Sequence, residues 1–110
     1  MDTTFDCLIN SFIENKVGLA ENFLAEALAV HLRTNLLALH SGKEMKAAGI
    51  GNNAKFTENK LVRSDKIYWL DREHKDVHEN SFFDLMYEFV IFLNRTCYAG
   101  ITGYEFHYAL

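Results

Sequence analysis

Only two stretches of this chain read as β-strands, and a helical stretch stands between them. Lys66-Ile67-Tyr68-Trp69-Leu70 is β-branched and aromatic, and the alternating Tyr104-Glu105-Phe106-His107-Tyr108-Ala109-Leu110 comes far downstream. Two strands cannot close a sheet with both edges protected, and a two-stranded sheet is marginal in water. The second strand also stops at Leu110 with no element after it. The chain therefore reads as an unfinished sheet carried by helices, one α+β unit over residues 1–110.

The helices follow from apolar spacing. Phe5, Leu8, Ile9, Phe12 and Ile13 recur at three and four residues and predict a helix over 4–14, with Thr3 and Asp6 as a capping box. Leu24, Leu28, Leu32, Leu36 and Leu39 predict a longer helix from about Asn22 to about Lys46, and its alanines raise helix propensity. The glycine-rich run Gly49-Ile50-Gly51-Asn52-Asn53 reads as a loop. After the first strand, the polar segment Asp71 to Glu79 leads to Ser81-Phe82-Phe83-Asp84, a capping box for a third helix lined by Phe82, Leu85, Met86, Phe89 and Leu93. Asn94 to Gly103 reads as a turn region. The expected order is helix, helix, strand, helix, strand.

Composition excludes some classes of function. The chain is 49% hydrophobic and 14% aromatic, enough for a packed core. A net charge of −4 leaves no basic footprint for nucleic acid. No apolar run approaches a membrane span, and the acidic start lacks the pattern of a signal peptide. Cys7 and Cys97 read as reduced core thiols, which suits a cytoplasmic protein.

His74-Lys75-Asp76 spells the His-x-Asp of a non-haem iron site, with His78 and His107 as candidate third ligands. A facial triad needs ligands on rigid, converging backbone, and this match sits in a polar loop before a helix. We read the segment as a solvated loop and expect no metal there. A small metal protein using His74, Asp76 and His78 remains an outside alternative. His31 and His40 read as structural or solvated residues.

The run LALHSGK…KFTENKLVRSDKIYWLD, followed by a helix ending FLNRTCYAGITGYEFHYAL, resembles the N-terminal part of prolyl 4-hydroxylase-like 2-oxoglutarate/Fe(II) dioxygenases of the hypoxia-sensing type. Arg63, Asp65, Lys66, Ile67 and Trp69 match that family's Arg-Gly-Asp-Lys-Ile-x-Trp motif, with Ser64 in place of the glycine. The likeness covers about residues 20 to 110. It implies N-terminal helices packed on the first strands of an incomplete double-stranded β-helix (jelly-roll) sheet. The complete enzyme would use Fe(II) and 2-oxoglutarate to hydroxylate a prolyl or similar residue in a protein or peptide substrate. The family's iron triad and 2-oxoglutarate base lie beyond the matched segment, so neither cofactor is expected to bind this chain alone, and it is expected to be inactive.

By the same resemblance, Arg63 and Asp65 stand near the mouth of the site where peptide enters; the rival reading is a surface ion pair that steadies a loop. Trp69 reads as a core anchor inside an apolar strand. Alternation sends Tyr104, Phe106, Tyr108 and Leu110 to one face of the last strand, and Glu105, His107 and Ala109 to the other. The aromatic face suits packing on the helices, and His107 is then a candidate pocket-wall residue or an ordinary surface histidine. A function of another class stays open: a non-catalytic interaction domain that completes its sheet with a partner or self-associates through exposed strand edges.

Overall fold

The computed structural model describes residues 2–47 and 65–110. They form three helices, α1 (Asp2–Asn15), α2 (Glu26–Ser41) and α3 (Val77–Cys97). An antiparallel sheet completes the α+β arrangement, built from β1 (Lys46–Ala47), β2 (Lys66–Trp69) and β3 (His107–Ala109) in the order β1-β2-β3. No helix among the described residues is long and apolar enough to cross a membrane.

Left-handed residues set where the first two helices stop and start. α1 ends as Lys16 takes φ 64° and its N–H closes on the Phe12 carbonyl at 2.7 Å. The following loop folds back so tightly that a Cβ at Gly18 would lie 2.8 Å from the Leu8 carbonyl oxygen, which only glycine avoids. The Ser11 hydroxyl fastens that return by accepting from the Leu19 N–H at 2.8 Å. The second helix does not begin at Asn22, because Asn22 is itself left-handed (φ 58°). It starts at Glu26, after the extended Ala25. Nor does it reach Lys46: Lys43 turns left-handed at φ 58°, and Lys46 and Ala47 become the strand β1 opposite Ile67 and Lys66. The sheet thus gains a third strand that the helical alanine–leucine pattern concealed.

α3 begins at Val77, four residues before the expected capping box. Asp76 is its cap, with Oδ1 accepting the His78 and Glu79 N–H groups at 2.9 Å each. Ser81 lies inside the helix and its hydroxyl donates back to the Val77 carbonyl. Asp84 does not reach back to a cap but pairs with Arg72 at 2.9 Å. The supposed polar loop is a 3₁₀ turn, Arg72–His74, followed by the first turn of this helix. At the other end the helix runs through Asn94, whose side chain holds the next loop as a strand would. Its Nδ2 donates to the Ile101 carbonyl at 2.9 Å and its Oδ1 accepts the Ile101 N–H at 2.8 Å.

β3 is shorter than the expected 104–110, though Phe106 and Leu110 still bond to Leu70 and Lys66 at its ends. Register pairs Ile67 with Ala109, Tyr68 with Tyr108 and Trp69 with His107. The expected alternation holds: Phe106 and Tyr108 turn toward α3, and His107 and Ala109 turn away. Trp69 corrects its assignment as a core anchor. It shares the outer face with His107 and is 51% exposed, because Tyr68 takes the helix-facing side of β2. Cys7 and Cys97 are exposed thiols rather than core ones. Cys7 lies about 200° around the helix from the inward Phe5, and Cys97 is the last residue of α3.

The core is aromatic. Phe5, 2% exposed, meets Phe89 at 5.0 Å, Phe92 at 5.3 Å and Phe23 at 6.1 Å between ring centroids. A second group closes β3 onto α3: Phe106 meets Phe82 edge-on at 5.1 Å, and the Arg72 guanidinium lies over Phe83. Replacing Phe5 by alanine removes the ring on which the first group converges. We expect Phe5→Ala to lose about 3–5 kcal/mol, read from the urea midpoint of the far-UV signal. A loss below about 1 kcal/mol would mean α1 is not held through this ring.

Candidate functional site

The main polar concavity lies where α2, β2 and the start of α3 meet. It is a cleft of about 310 Å³, floored by Ala38 and Leu39 and walled by Asn35, Glu44, Tyr68, His74, Asp76 and Glu79. Each wall residue is there for a local reason. Tyr68 is the inward residue of β2; His74 closes the 3₁₀ turn, with its Nδ1 sharing a 3.4 Å hydrogen bond with the Tyr68 hydroxyl. Asp76 caps α3 and, through Oδ2, accepts from Asn35 Nδ2 at 3.0 Å, which joins α2 to the cap. Glu79 sits one turn into α3, 5% exposed, where its Oε2 accepts the Tyr108 hydroxyl at 3.1 Å.

Burial governs the electrostatics here. It pushes the Glu79 carboxyl above the usual carboxylate range; the Tyr108 hydrogen bond works against that, the nearby Asp76 charge adds to it, and His74 and Asn35 oppose it. Tyr108 is pushed far above the usual phenol range, by burial first and then by the Glu79 charge and the bond to it. Tyr68 is raised by burial and by the carboxylates of Glu79 and Glu44. The cleft is thus rich in acceptors, with phenols that keep their protons. Just outside it, His31 of α2 stacks face to face on His78 of α3 at 3.8 Å and 6°. His31, read as structural or solvated, is therefore part of the α2–α3 joint.

The His-x-Asp match lies within this cleft, and its carboxylate is already occupied. Both Asp76 oxygens accept hydrogen bonds, and His74 Nδ1 is bonded to Tyr68. The motif belongs to a helix start. Among the described residues no group of three His, Cys, Asp or Glu side chains is arranged to hold a metal ion.

The residues that the resemblance singled out, Arg63, Asp65 and His107, are not gathered here. Arg63, with Ser64 and the loop at 49–53, lies outside the described residues. Asp65 is half-buried and precedes the first residue of β2. His107 pairs with the last residue of β2, so Asp65 and His107 stand at opposite ends of that strand. His107 occupies the outer face of the sheet, edge-on to Trp69 at 4.9 Å and 78°, with Nδ1 donating to the Tyr108 carbonyl at 3.0 Å. Asn35, Tyr68 and Glu79 were not foreseen. One signal was present, since Asp76-Val77-His78-Glu79 has capping-box spacing.

A larger hollow, about 600 Å³ and almost wholly apolar, lies between the second half of α1 and the end of α3, against Leu8, Phe12, Ile13, Phe89 and Leu93. No family model, curated protein or solved structure matches this chain.

Because its carboxyl is raised, Glu79 adds stability that is fully present below the ordinary carboxylate pKa. That stability is lost as pH rises through the raised value. Wild type should therefore gain stability relative to Glu79→Gln as pH falls from 7 to 4. Urea midpoints of both proteins across that range measure it. A difference that is constant, or that shrinks on acidification, contradicts the assignment.

Proposed function

We propose that this chain is the N-terminal helical and first-strand portion of a cytoplasmic prolyl hydroxylase-like dioxygenase, and that its sheet opens a double-stranded β-helix. The supporting observation is the pairing of two segments. The motif residues Asp65, Lys66, Ile67 and Trp69 run into a strand that pairs antiparallel with His107–Ala109. Helices cover one side of that pair, and Ile67, Trp69, His107 and Ala109 share the other. In this reading the uncovered side becomes a wall of the cavity, His107 is a pocket-wall residue, and Arg63 and Asp65 meet the incoming protein or peptide.

Fe(II) with 2-oxoglutarate would supply the oxidation of the prolyl or similar carbon. The described residues do not fit that metal, since the Asp76 carboxylate is taken up by three N–H donors and no group of three His, Cys, Asp or Glu side chains among them is arranged to hold an ion. No step of the oxidation is assigned to this chain. Its part is to form the helical support and to present one wall.

Reading the encoding gene past the codon for Leu110 tests the proposal directly. A continuation with His-x-Asp and a distal histidine is expected; a stop codon would overturn it. The isolated chain should give no succinate from 2-oxoglutarate above the no-protein control. In a full-length enzyme, Arg63→Ala and Asp65→Ala should lower activity on the protein substrate while leaving the fold in place. Normal activity in both variants would remove these residues from the substrate's path.

A second reading is a non-catalytic domain that completes its sheet with a partner or a second copy. It is favoured by β3 being, among the described residues, an edge strand beside a half-exposed tryptophan. Sedimentation across a concentration series should then show self-association. A strict monomer with protected amides at 107–109 would contradict it.

A further inference from the structure

α3 has twenty-one residues, and its one buried residue is a carboxylic acid, Glu79. An apolar side chain of that size would fill such a position without the desolvation cost of a carboxylate. What the carboxylate provides instead is a charge-assisted acceptor for the Tyr108 hydroxyl, 3.1 Å away. Tyr108 is the middle residue of β3, which has only three residues and lies at the sheet edge.

A strand that short specifies its register weakly. A slip of one residue against β2 turns every side chain to the opposite face. Phe106, packed on Phe82 and Phe83, favours the observed face, but β2 offers an aromatic ring on each side, Tyr68 inward and Trp69 outward, so the apolar pattern shares the task with a polar contact. In the slipped register Tyr108 would lie outside, and His107 or Ala109 would lie beneath α3, where neither replaces the phenol on Glu79 in the observed way. The geometry points to a register pin: Glu79, through the Tyr108 hydroxyl, is the positioning residue that sets β3 against β2 and so presents His107 beside Trp69 on the outer face. Asp76 fixes the turn that carries the pin, because it caps that turn and holds Asn35. The importance of His107 as a cavity wall rests on the dioxygenase reading, whereas the pin does not.

The Trp69–His107 pair alternates with the hydrogen-bonded pairs 68–108 and 70–106, so it is a close pair, with Cα atoms about 4.5 Å apart in regular antiparallel sheet. Its Hα–Hα cross-peak in an NMR spectrum of the 110-residue chain reports the register directly. Wild type and Glu79→Gln, whose amide oxygen still accepts from Tyr108, should both show it at full intensity. Glu79→Leu and Tyr108→Phe should weaken it several-fold and speed amide exchange at residues 107–109 at least tenfold, with helical circular dichroism unchanged. Full intensity in both Glu79→Leu and Tyr108→Phe overturns the pin, as does a Glu79→Gln variant that loses the cross-peak as completely as the leucine variant. Should Glu79→Leu disturb the helices, Tyr108→Phe, which removes one hydroxyl, decides alone. The measurement involves no iron, 2-oxoglutarate or turnover, so its failure leaves the dioxygenase proposal standing, and a stop codon after Leu110 would leave the pin standing.

Discussion

The carboxylate of Asp76 holds three N–H donors at once, and most of the arrangement hangs from that corner. Two of the donors are the orphan amides of the first turn of α3, which have no carbonyl behind them to receive them. The third belongs to Asn35, a side chain of another helix. One group therefore both starts a helix and fixes it to its neighbour. That first turn carries Glu79, at the head of an inward row that continues through Phe82, Met86 and Phe89. Those residues meet the sheet at one end and the Phe5 cluster at the other.

The sheet is small and two-sided. Its inner face is tied to the helices by specific polar contacts, Tyr68 to His74 and Tyr108 to Glu79, with Phe106 packed beside them. Its outer face carries Trp69 and His107 in edge-on contact and no helix among the described residues. Polar contacts on one side and an aromatic pair on the other give each face a different job. The inner contacts set position, and the outer face leaves the Trp69 ring half in water.

How much of this was readable depended on the kind of signal. Period-3.6 leucines and phenylalanines carried all three helices, and the β-branched run at Lys66–Trp69 carried its strand, because burial on one face leaves a long repeating trace. Two-residue β1 leaves no such trace, and Lys46-Ala47 continued the helical composition before it. The start of α3 was legible in principle: both Asp76…Glu79 and Ser81…Asp84 have capping spacing, and only the three-dimensional neighbour Asn35 favours the first. Glu79 as a buried residue was not legible at all. A lone glutamate on an amphipathic helix normally marks the solvent side, and its partner lies twenty-nine residues away. Trp69 was misplaced for the opposite reason, since apolar character predicts burial only when something stands over that face.

The attachment of α1 is a different matter from the rest. Its first half docks chiefly through the buried ring of Phe5, and its second half hangs over the apolar hollow with Phe12 and Ile13 largely in water. Elements with few buried contacts open at a lower free energy than the whole molecule does, which marks α1 as the first element to test by hydrogen exchange. Departure of α1 would uncover Phe23, Phe89 and Phe92 all together, because all three rings meet on Phe5.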